Sequence, residues 1–187
     1  MKKSSRGLAT WLDAYIRDNG PFAFHVTRSV AVARKVAREG LMPWDAPGRV
    51  SRYADRPVLL PRPGHVYAYT RPPGVCFNAE TAKRVVTIDL RRIESRRVVA
   101  DEDMFLRQPG SQSGDEAEAR RRRCNVALPP PDTVAGVWAN RVLNDPCMAA
   151  ESARGGSIAI RGCVAPEALQ TGCPSRVVAA AWAKMLA

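Results

Sequence analysis

The stretch from Phe22 to Pro43 constrains the fold more than any other part of the chain, because the spacing of its apolar residues changes within it. At its start, in FAFHVT, large apolar side chains alternate with smaller or polar ones, which is typical of a strand. Further along, apolar residues recur at the spacing of one helical face, namely Val30, Val32, Ala33, Val36, Ala37 and Leu41. Gly40 and the following proline predict the end of this helix. The stretch therefore predicts a strand joined directly to an amphipathic helix, with His25 and Thr27 on one face of the strand.

The charge of the chain favours anionic partners. The 187 residues include 29 Lys and Arg against 18 Asp and Glu, which gives a formal net charge of +11. Such an excess raises the local concentration of nucleic acid and of pyrophosphate-containing cofactors. The alternative is that frequent arginine, alanine and proline reflect the base composition of the source genome and leave a solvated basic surface. The length predicts one domain over residues 1–187.

Apolar runs and cysteines give two further expectations. No apolar run approaches the roughly 18 residues that span a bilayer, so we expect no membrane partner and a cytoplasmic protein. The chain has five cysteines, which is an odd number. They are widely spaced, and no two of them form a CxxC motif. We therefore expect reduced, mostly buried thiols rather than a zinc site or a disulfide framework. The sequence leaves the oligomeric state open.

Short strands and helices alternate irregularly along the rest of the chain. The further predicted strands are Val58–Leu60, His65–Thr70, Val85–Leu90 and Ser157–Arg161. The further predicted helices are Ser5–Asn19, Asn78–Arg84, Val134–Leu143 and Ser175–Leu186. This pattern predicts the α+β class with a mixed or antiparallel sheet. Residues 107–133 are polar, then basic, then rich in proline, and predict a flexible insertion or an exposed helix with flexible flanks.

Several short motifs resemble one family when they are taken in order. They are HVT followed by a helix and EGLMP, then VYAYT, VVTIDL, DEDMF and SIAIRGCVAPEAL. This order of motifs is similar to the order found in the ADP-ribosyltransferase superfamily, especially in its bacterial and phage members. The likeness covers Phe24 to Leu169 and excludes the insertion. The tRNA 2′-phosphotransferases share that fold. The resemblance implies two small mixed or antiparallel sheets with flanking helices and a cleft that binds NAD.

The resemblance also implies an activity and a set of residues. The activity would be transfer of ADP-ribose to a macromolecule, either nucleic acid or protein, as in toxins or phage-encoded modifiers of host components. His25 and Thr27, with Val26 between them, would hold a ribose of NAD, and Tyr67, helped by Tyr69, would pack on nicotinamide.

The chain departs from the family at the third catalytic position. The family has a glutamate just before the strand that corresponds to SIAIR, where this chain has Gly156 or Ser157. Glu151 is the candidate for the missing carboxylate, provided that residues 152–156 form a loop that lets it reach back. Such a carboxylate would support the positive charge that develops as the glycosidic bond breaks.

Each of these residues also has a structural interpretation. His25 can be a core histidine bound to a backbone carbonyl, and Thr27 can be the N-cap of the following helix. The two tyrosines can pack across strands. Residues 101–103, with sequence DED, can form a metal site or a charged turn near arginines. The charged turn is favoured, because consecutive carboxylates on an extended segment point to opposite faces. Residues 120–123, four arginines after three acidic residues, suit a self-neutralising helix surface or a loop that contacts phosphate.

Two other functions remain open from the sequence. One is a catalytically degenerate module that binds nucleic acid or protein. The other is an RNA 2′-phosphotransferase, which needs several arginines around one phosphate; those available are Arg28, Arg71, Arg154 and Arg161.

Overall fold

A computed structural model describes residues 10–43, 45–46, 63–101, 104–105, 114–126 and 144–186. Its helices are α1 (Trp11–Asn19), α2 (Val30–Glu39), α3 (Ala79–Ala82), α4 (Gly114–Arg123), α5 (Pro146–Gly155) and α6 (Ser175–Leu186). Its strands are β1 (Phe22–Val26), β2 (His65–Tyr69), β3 (Val85–Asp89), β4 (Val98–Val99), β5 (Ser157–Arg161) and β6 (Leu169–Thr171). The predicted α+β class is confirmed. The predicted elements at Val58–Leu60 and Val134–Leu143 lie outside the described residues.

The strand-to-helix stretch that dominates the sequence is present as predicted. Helix α2 follows β1 after a short turn, and Ser29 caps it by accepting a hydrogen bond from the Val32 amide. The N-cap is therefore Ser29, and the interpretation of Thr27 as the cap is wrong. Gly40 ends the helix with φ of +97°, and a β-carbon there would lie 3.0 Å from the Val164 carbonyl oxygen. Glycine is needed at this position both for its backbone conformation and for this close approach.

The six strands form one sheet in the order β4-β5-β2-β1-β3-β6, and every neighbouring pair is antiparallel. The described strands thus make one open antiparallel sheet, whereas the resemblance implied two small sheets. Strands β1, β2 and β5, which carry or adjoin the candidate site residues, are neighbours at its centre.

Apolar side chains cover both faces of the sheet. On the first face, residues such as Ala23, Val66, Val86 and Ile160 pack against α1, α2 and α5 in the largest core cluster. On the second face, Phe24 and Val85 pack with Cys76 and with partly buried residues at the start of α6. Alternation along each strand assigns its residues to these two faces.

Two disulfides correct the expectation of reduced thiols. Cys76 pairs with Cys173, and Cys124 pairs with Cys147, while Cys163 is free and exposed. The partners are separated by 97 and 23 residues, so the pairing depends on the fold and leaves no local sequence signal. Disulfides persist in oxidising surroundings and are rare in the cytosol, so they do not support the cytoplasmic expectation.

The predicted insertion at residues 107–133 contains one helix. Helix α4 occupies Gly114–Arg123, and residues 107–113 and 127–133 lie outside the described part of the chain. The helix is attached to the body through buried Ala117 and Arg121, since the Arg121 guanidinium donates to the Phe105 carbonyl oxygen. Its other side is exposed.

Candidate functional site

His25 and Tyr67 of the predicted NAD site lie on adjacent strands but point to opposite faces of the sheet. His25 is opposite Val86 of β3, on the face of the largest core cluster. Tyr67 is opposite Ala159 of β5 and alternates with Val66 and Ala68, which belong to that cluster, so it points to the other face. The imidazole Nδ1 of His25 nevertheless lies 2.9 Å from the Tyr67 backbone oxygen. The structure thus joins these residues through the backbone and separates their rings.

The hydroxyl of Thr27 contacts backbone and is buried. Its single proton is shared between the carbonyl oxygens of Ser29 and Arg84, which lie 2.8 and 2.7 Å from Oγ1. These contacts fix the exit from β1 towards α2. Val26, between Thr27 and His25, packs on the second face with the cluster around Phe24.

Tyr69 is the predicted site residue with an exposed aromatic ring. Half of its surface is accessible, which is unusual for a large apolar side chain in the sheet of this chain. It stands opposite Ser157 of β5 and two residues before Arg71. An exposed phenol ring can stack on a base or on nicotinamide.

Glu151 lies on α5 and not on a loop. Helix α5 continues to Gly155, so the expectation that residues 152–156 loop back is wrong. The Glu151 side chain is 8% exposed, and both of its oxygens are bound: Oε2 accepts from Arg123 Nε and Oε1 from Arg154 Nη1, each at 2.6 Å. Burial acts to raise the pKa of Glu151, but the hydrogen bonds and charges of the two arginines outweigh burial and lower it. Glu151 is therefore an ionised carboxylate that holds two guanidinium groups in place.

Those two arginines belong to a larger arginine-lined cavity of about 320 Å³ between α4, α5 and the end of β2. We call it the arginine cleft; its lining residues are Arg71, Glu116, Ala119, Arg120, Arg123, Arg154 and Gly155. Four guanidinium groups thus come together from three separate parts of the chain.

Hydrogen bonds to the backbone position two of these guanidinium groups. Arg71 Nη2 donates to the Arg154 carbonyl oxygen at 2.7 Å, which ties the end of β2 to α5. Arg120 Nη1 donates to the Met104 carbonyl oxygen at 3.2 Å, and its Nη2 pairs with Glu116 at 2.8 Å. The Arg120 side chain is 12% exposed, so it is largely fixed before any ligand arrives.

Gly155 lets Arg120 approach α5 closely. A β-carbon at this position would clash with the Met104 methyl group and would lie 3.1 Å from the Arg120 Nε, which is closer than nine in ten such contacts. Glycine at the last position of α5 thus permits the close approach of both side chains.

The arginine cleft has a positive charge that suits a dianion. Its four arginines are opposed by Glu116, which pairs with Arg120, and by Glu151 beneath Arg123 and Arg154. Four positive charges less two negative charges leave a formal charge of two. Guanidinium groups bind phosphate oxygens with paired, charge-assisted hydrogen bonds, so the cleft can bind a phosphate or pyrophosphate group.

A buried polar group lies beside the start of β5. Asp101 accepts a hydrogen bond from the Ser157 hydroxyl, and its own amide donates to the Ser152 hydroxyl at 2.9 Å. The Ser152 hydroxyl donates in turn to the Ser157 carbonyl oxygen at 2.8 Å. Asp101 is buried, while residues 102 and 103 lie outside the described part, so the charged turn near arginines stays a prediction.

Sequence reasoning named Arg71 and Arg154 but missed their convergence with α4. A signal for α4 was present, since Glu116, Arg120 and Arg123 are spaced by four and three residues and therefore share one helical face. Arg28 and Arg161, the other arginines considered for phosphate, are not in the lining of the cleft.

Comparisons with family models, with curated proteins and with solved structures find no match to this chain. Of the helices in the described ranges, none is both long enough and apolar enough to cross a membrane. Among the described residues, no cluster of three or more His, Cys, Asp or Glu side chains is placed to hold a metal ion.

Proposed function

We propose that the arginine cleft binds the phosphate groups of NAD and that the chain transfers ADP-ribose to a macromolecular acceptor. One observation carries this proposal: Arg71, Arg120, Arg123 and Arg154 line one cavity, directly beside the buried carboxylate of Glu151. The resemblance of the ordered sequence motifs to ADP-ribosyltransferases supplies the chemistry, and the cleft supports the binding of the anionic ligand.

The size and charge of the cleft fit the phosphate portion of the dinucleotide. A volume of about 320 Å³ is at the lower end of the range for ligand pockets and suits a pyrophosphate with part of a sugar. The pyrophosphate of NAD carries two negative charges, which match the formal charge of the cleft. The exposed ring of Tyr69 lies outside the lining of the cleft, so it can stack only on an aromatic part of the ligand that extends beyond the cleft.

The residues of the cleft perform two tasks in this proposal. When bound, NAD supplies the ADP-ribose group and nicotinamide as the leaving group. The four arginines fix the phosphates, and Arg123 and Arg154 use their exposed N–H groups to bind phosphate oxygens while Glu151 keeps both of them in place. The negative charge of Glu151 beside the cleft then stabilises positive charge that develops on the ribose.

NAD labelled in its adenylate phosphate tests the proposal directly. The chain is incubated with labelled NAD and separately with RNA, DNA and a protein mixture, and nicotinamide release is measured alongside. Label that moves to one acceptor, with one nicotinamide released per label, supports the transferase. A Glu151→Gln variant that still binds NAD but does not release nicotinamide supports the role of the carboxylate. Binding of NAD without any transfer would contradict the activity and leave a binding module.

The second candidate is an RNA 2′-phosphotransferase, and the charge of the cleft is the observation that favours it. A 2′-phosphomonoester carries nearly two negative charges on one group, which four converging arginines can bind. The same experiment separates the candidates if 2′-phosphorylated RNA is included. Nicotinamide release that requires this RNA, together with loss of its 2′-phosphate, supports the phosphotransferase over the transferase.

A further inference from the structure

The two walls of the arginine cleft are joined by a disulfide. Arg120 and Arg123 are on α4, and Arg154 and Gly155 are on α5. Cys124 follows α4 directly and pairs with Cys147 near the start of α5, with 5.6 Å between their Cα atoms. The bond therefore begins one residue after Arg123 and fixes where the end of α4 lies.

Helix α4 itself contributes little apolar packing, although Cys124 and Val126 just beyond it pack against a small core cluster. Its sequence GDEAEARRRR contains two alanines as its apolar residues, and of these Ala117 is buried. Three of the four arginines at its end pair with carboxylates, namely those of Glu116, Glu118 and Glu151. The remaining ties are polar, namely Arg120 to Met104, Arg121 to Phe105 and Arg123 to Glu151. All of these ties are non-covalent, and the disulfide adds a covalent constraint next to Arg123.

The bond is also accessible to a reductant. Cys147 is exposed and Cys124 is partly exposed, whereas Cys76 of the other disulfide is buried in the core of the second sheet face. A dithiol can therefore attack Cys147 without the chain unfolding.

We propose that the Cys124–Cys147 disulfide is a redox switch that keeps the arginine cleft assembled. In the oxidised chain, α4 presents Arg120 and Arg123 to the ligand. A dithiol reductant transfers two electrons and two protons to the bond, is itself oxidised to a disulfide, and leaves two thiols at Cys124 and Cys147. Helix α4 then separates from α5, and the anion loses two of its four guanidinium partners. This inference rests on the arginine cleft being the ligand site proposed above.

The test compares oxidised and reduced protein in two measurements. Affinity for inorganic pyrophosphate is measured by calorimetry before and after treatment with dithiothreitol, and mass spectrometry identifies which cysteines have been reduced. We expect opening of the Cys124–Cys147 bond to weaken binding by about tenfold or more, which corresponds to loss of charge-assisted hydrogen bonds. Hydrogen exchange of the amides in residues 114–126 is followed in the same samples and is expected to become faster upon reduction.

Two variants provide the controls. Cys124→Ser/Cys147→Ser is expected to bind weakly with and without dithiothreitol, while Cys163→Ser, which removes the free thiol, is expected to respond like the original chain. Equal affinity and equal exchange in oxidised and reduced protein, with the bond shown to be open, would overturn the switch. Absence of pyrophosphate binding by the oxidised protein would instead reject the proposed cleft, while faster exchange of α4 would still reveal the release of the helix.

Discussion

Arg123 Nε lies 2.6 Å from Glu151 Oε2, and this contact joins α4, which is attached mainly by polar groups, to the buried side of α5. Since Arg154 binds the other carboxylate oxygen, one glutamate sets the positions of two cleft arginines. The stability of this region and its affinity for anions are therefore linked through Glu151.

Substitution Glu151→Gln should reduce stability moderately. The variant removes a buried carboxylate from two guanidinium groups that are 55% and 67% exposed and can be solvated instead. We expect a loss of about 1–2 kcal/mol in the free energy of unfolding, less than for a fully buried pair. Chemical denaturation measures it. The matched control is Glu80→Gln, because the Glu80–Lys83 pair is exposed and should contribute less than about 0.5 kcal/mol. Equal losses in both variants would contradict the special role of Glu151.

The contribution of Glu151 should disappear in acid. Because its pKa is lowered in the folded chain, the unfolded chain binds a proton on Glu151 at a higher pH than the folded chain does. The stabilisation is thus fully present above about pH 4.5, near the ordinary glutamate pKa, and is lost as the pH falls through the lower folded value. Thermal unfolding of the original chain and of Glu151→Gln from pH 7 to pH 3 should show a difference that shrinks in acid. A constant difference over this range would be evidence against the ion pair.

His25 and Tyr69 should respond differently to substitution. His25 points towards the face of the largest core cluster, whereas Tyr69 is exposed on the opposite face, two residues before Arg71 in the sequence. We predict that Tyr69→Ala weakens NAD binding by about tenfold through loss of stacking, while His25→Ala lowers thermal stability and changes affinity little. Affinity and melting temperature are measured for each variant. The ribose-holding role implied for His25 by the family resemblance would gain support if His25→Ala had the larger effect on affinity.

The two disulfides should differ in their contributions to stability. The Cys76–Cys173 bond closes 97 residues and the Cys124–Cys147 bond closes 23. The entropy that loop closure removes from the unfolded chain predicts contributions of about 5 and about 3 kcal/mol, respectively, to the free energy of unfolding. Paired substitution to serine, followed by denaturation with urea, should therefore lower the midpoint more for the first pair. Similar midpoints for both variants would show that loop closure does not dominate.

Local patterns predicted the sheet well, since β1, α2, β2, β3 and β5 follow from periodicity and turn residues that act over a few positions. Local patterns did not predict which arginines come together in the candidate site. Arg71 meets Arg154 across 83 residues, and α4 reaches α5 across a segment of proline-rich sequence. Contacts of this kind depend on the tertiary fold, as does the pairing of Cys76 with Cys173. The opposite directions of His25 and Tyr67 required the strand register, which no single-strand pattern contains.

The most direct test of the arginine cleft is the affinity for NAD of two variants that lose the same charge. Arg71→Gln/Arg154→Gln removes two positive charges from the cleft, and Arg28→Gln/Arg34→Gln removes two from exposed positions outside its lining. Calorimetry should show a loss of about a hundredfold for the first variant, because two charge-assisted contacts are lost, and at most about threefold for the second. Equal losses in the two variants would show that NAD responds to the overall basic charge, and would contradict a built phosphate site between α4 and α5.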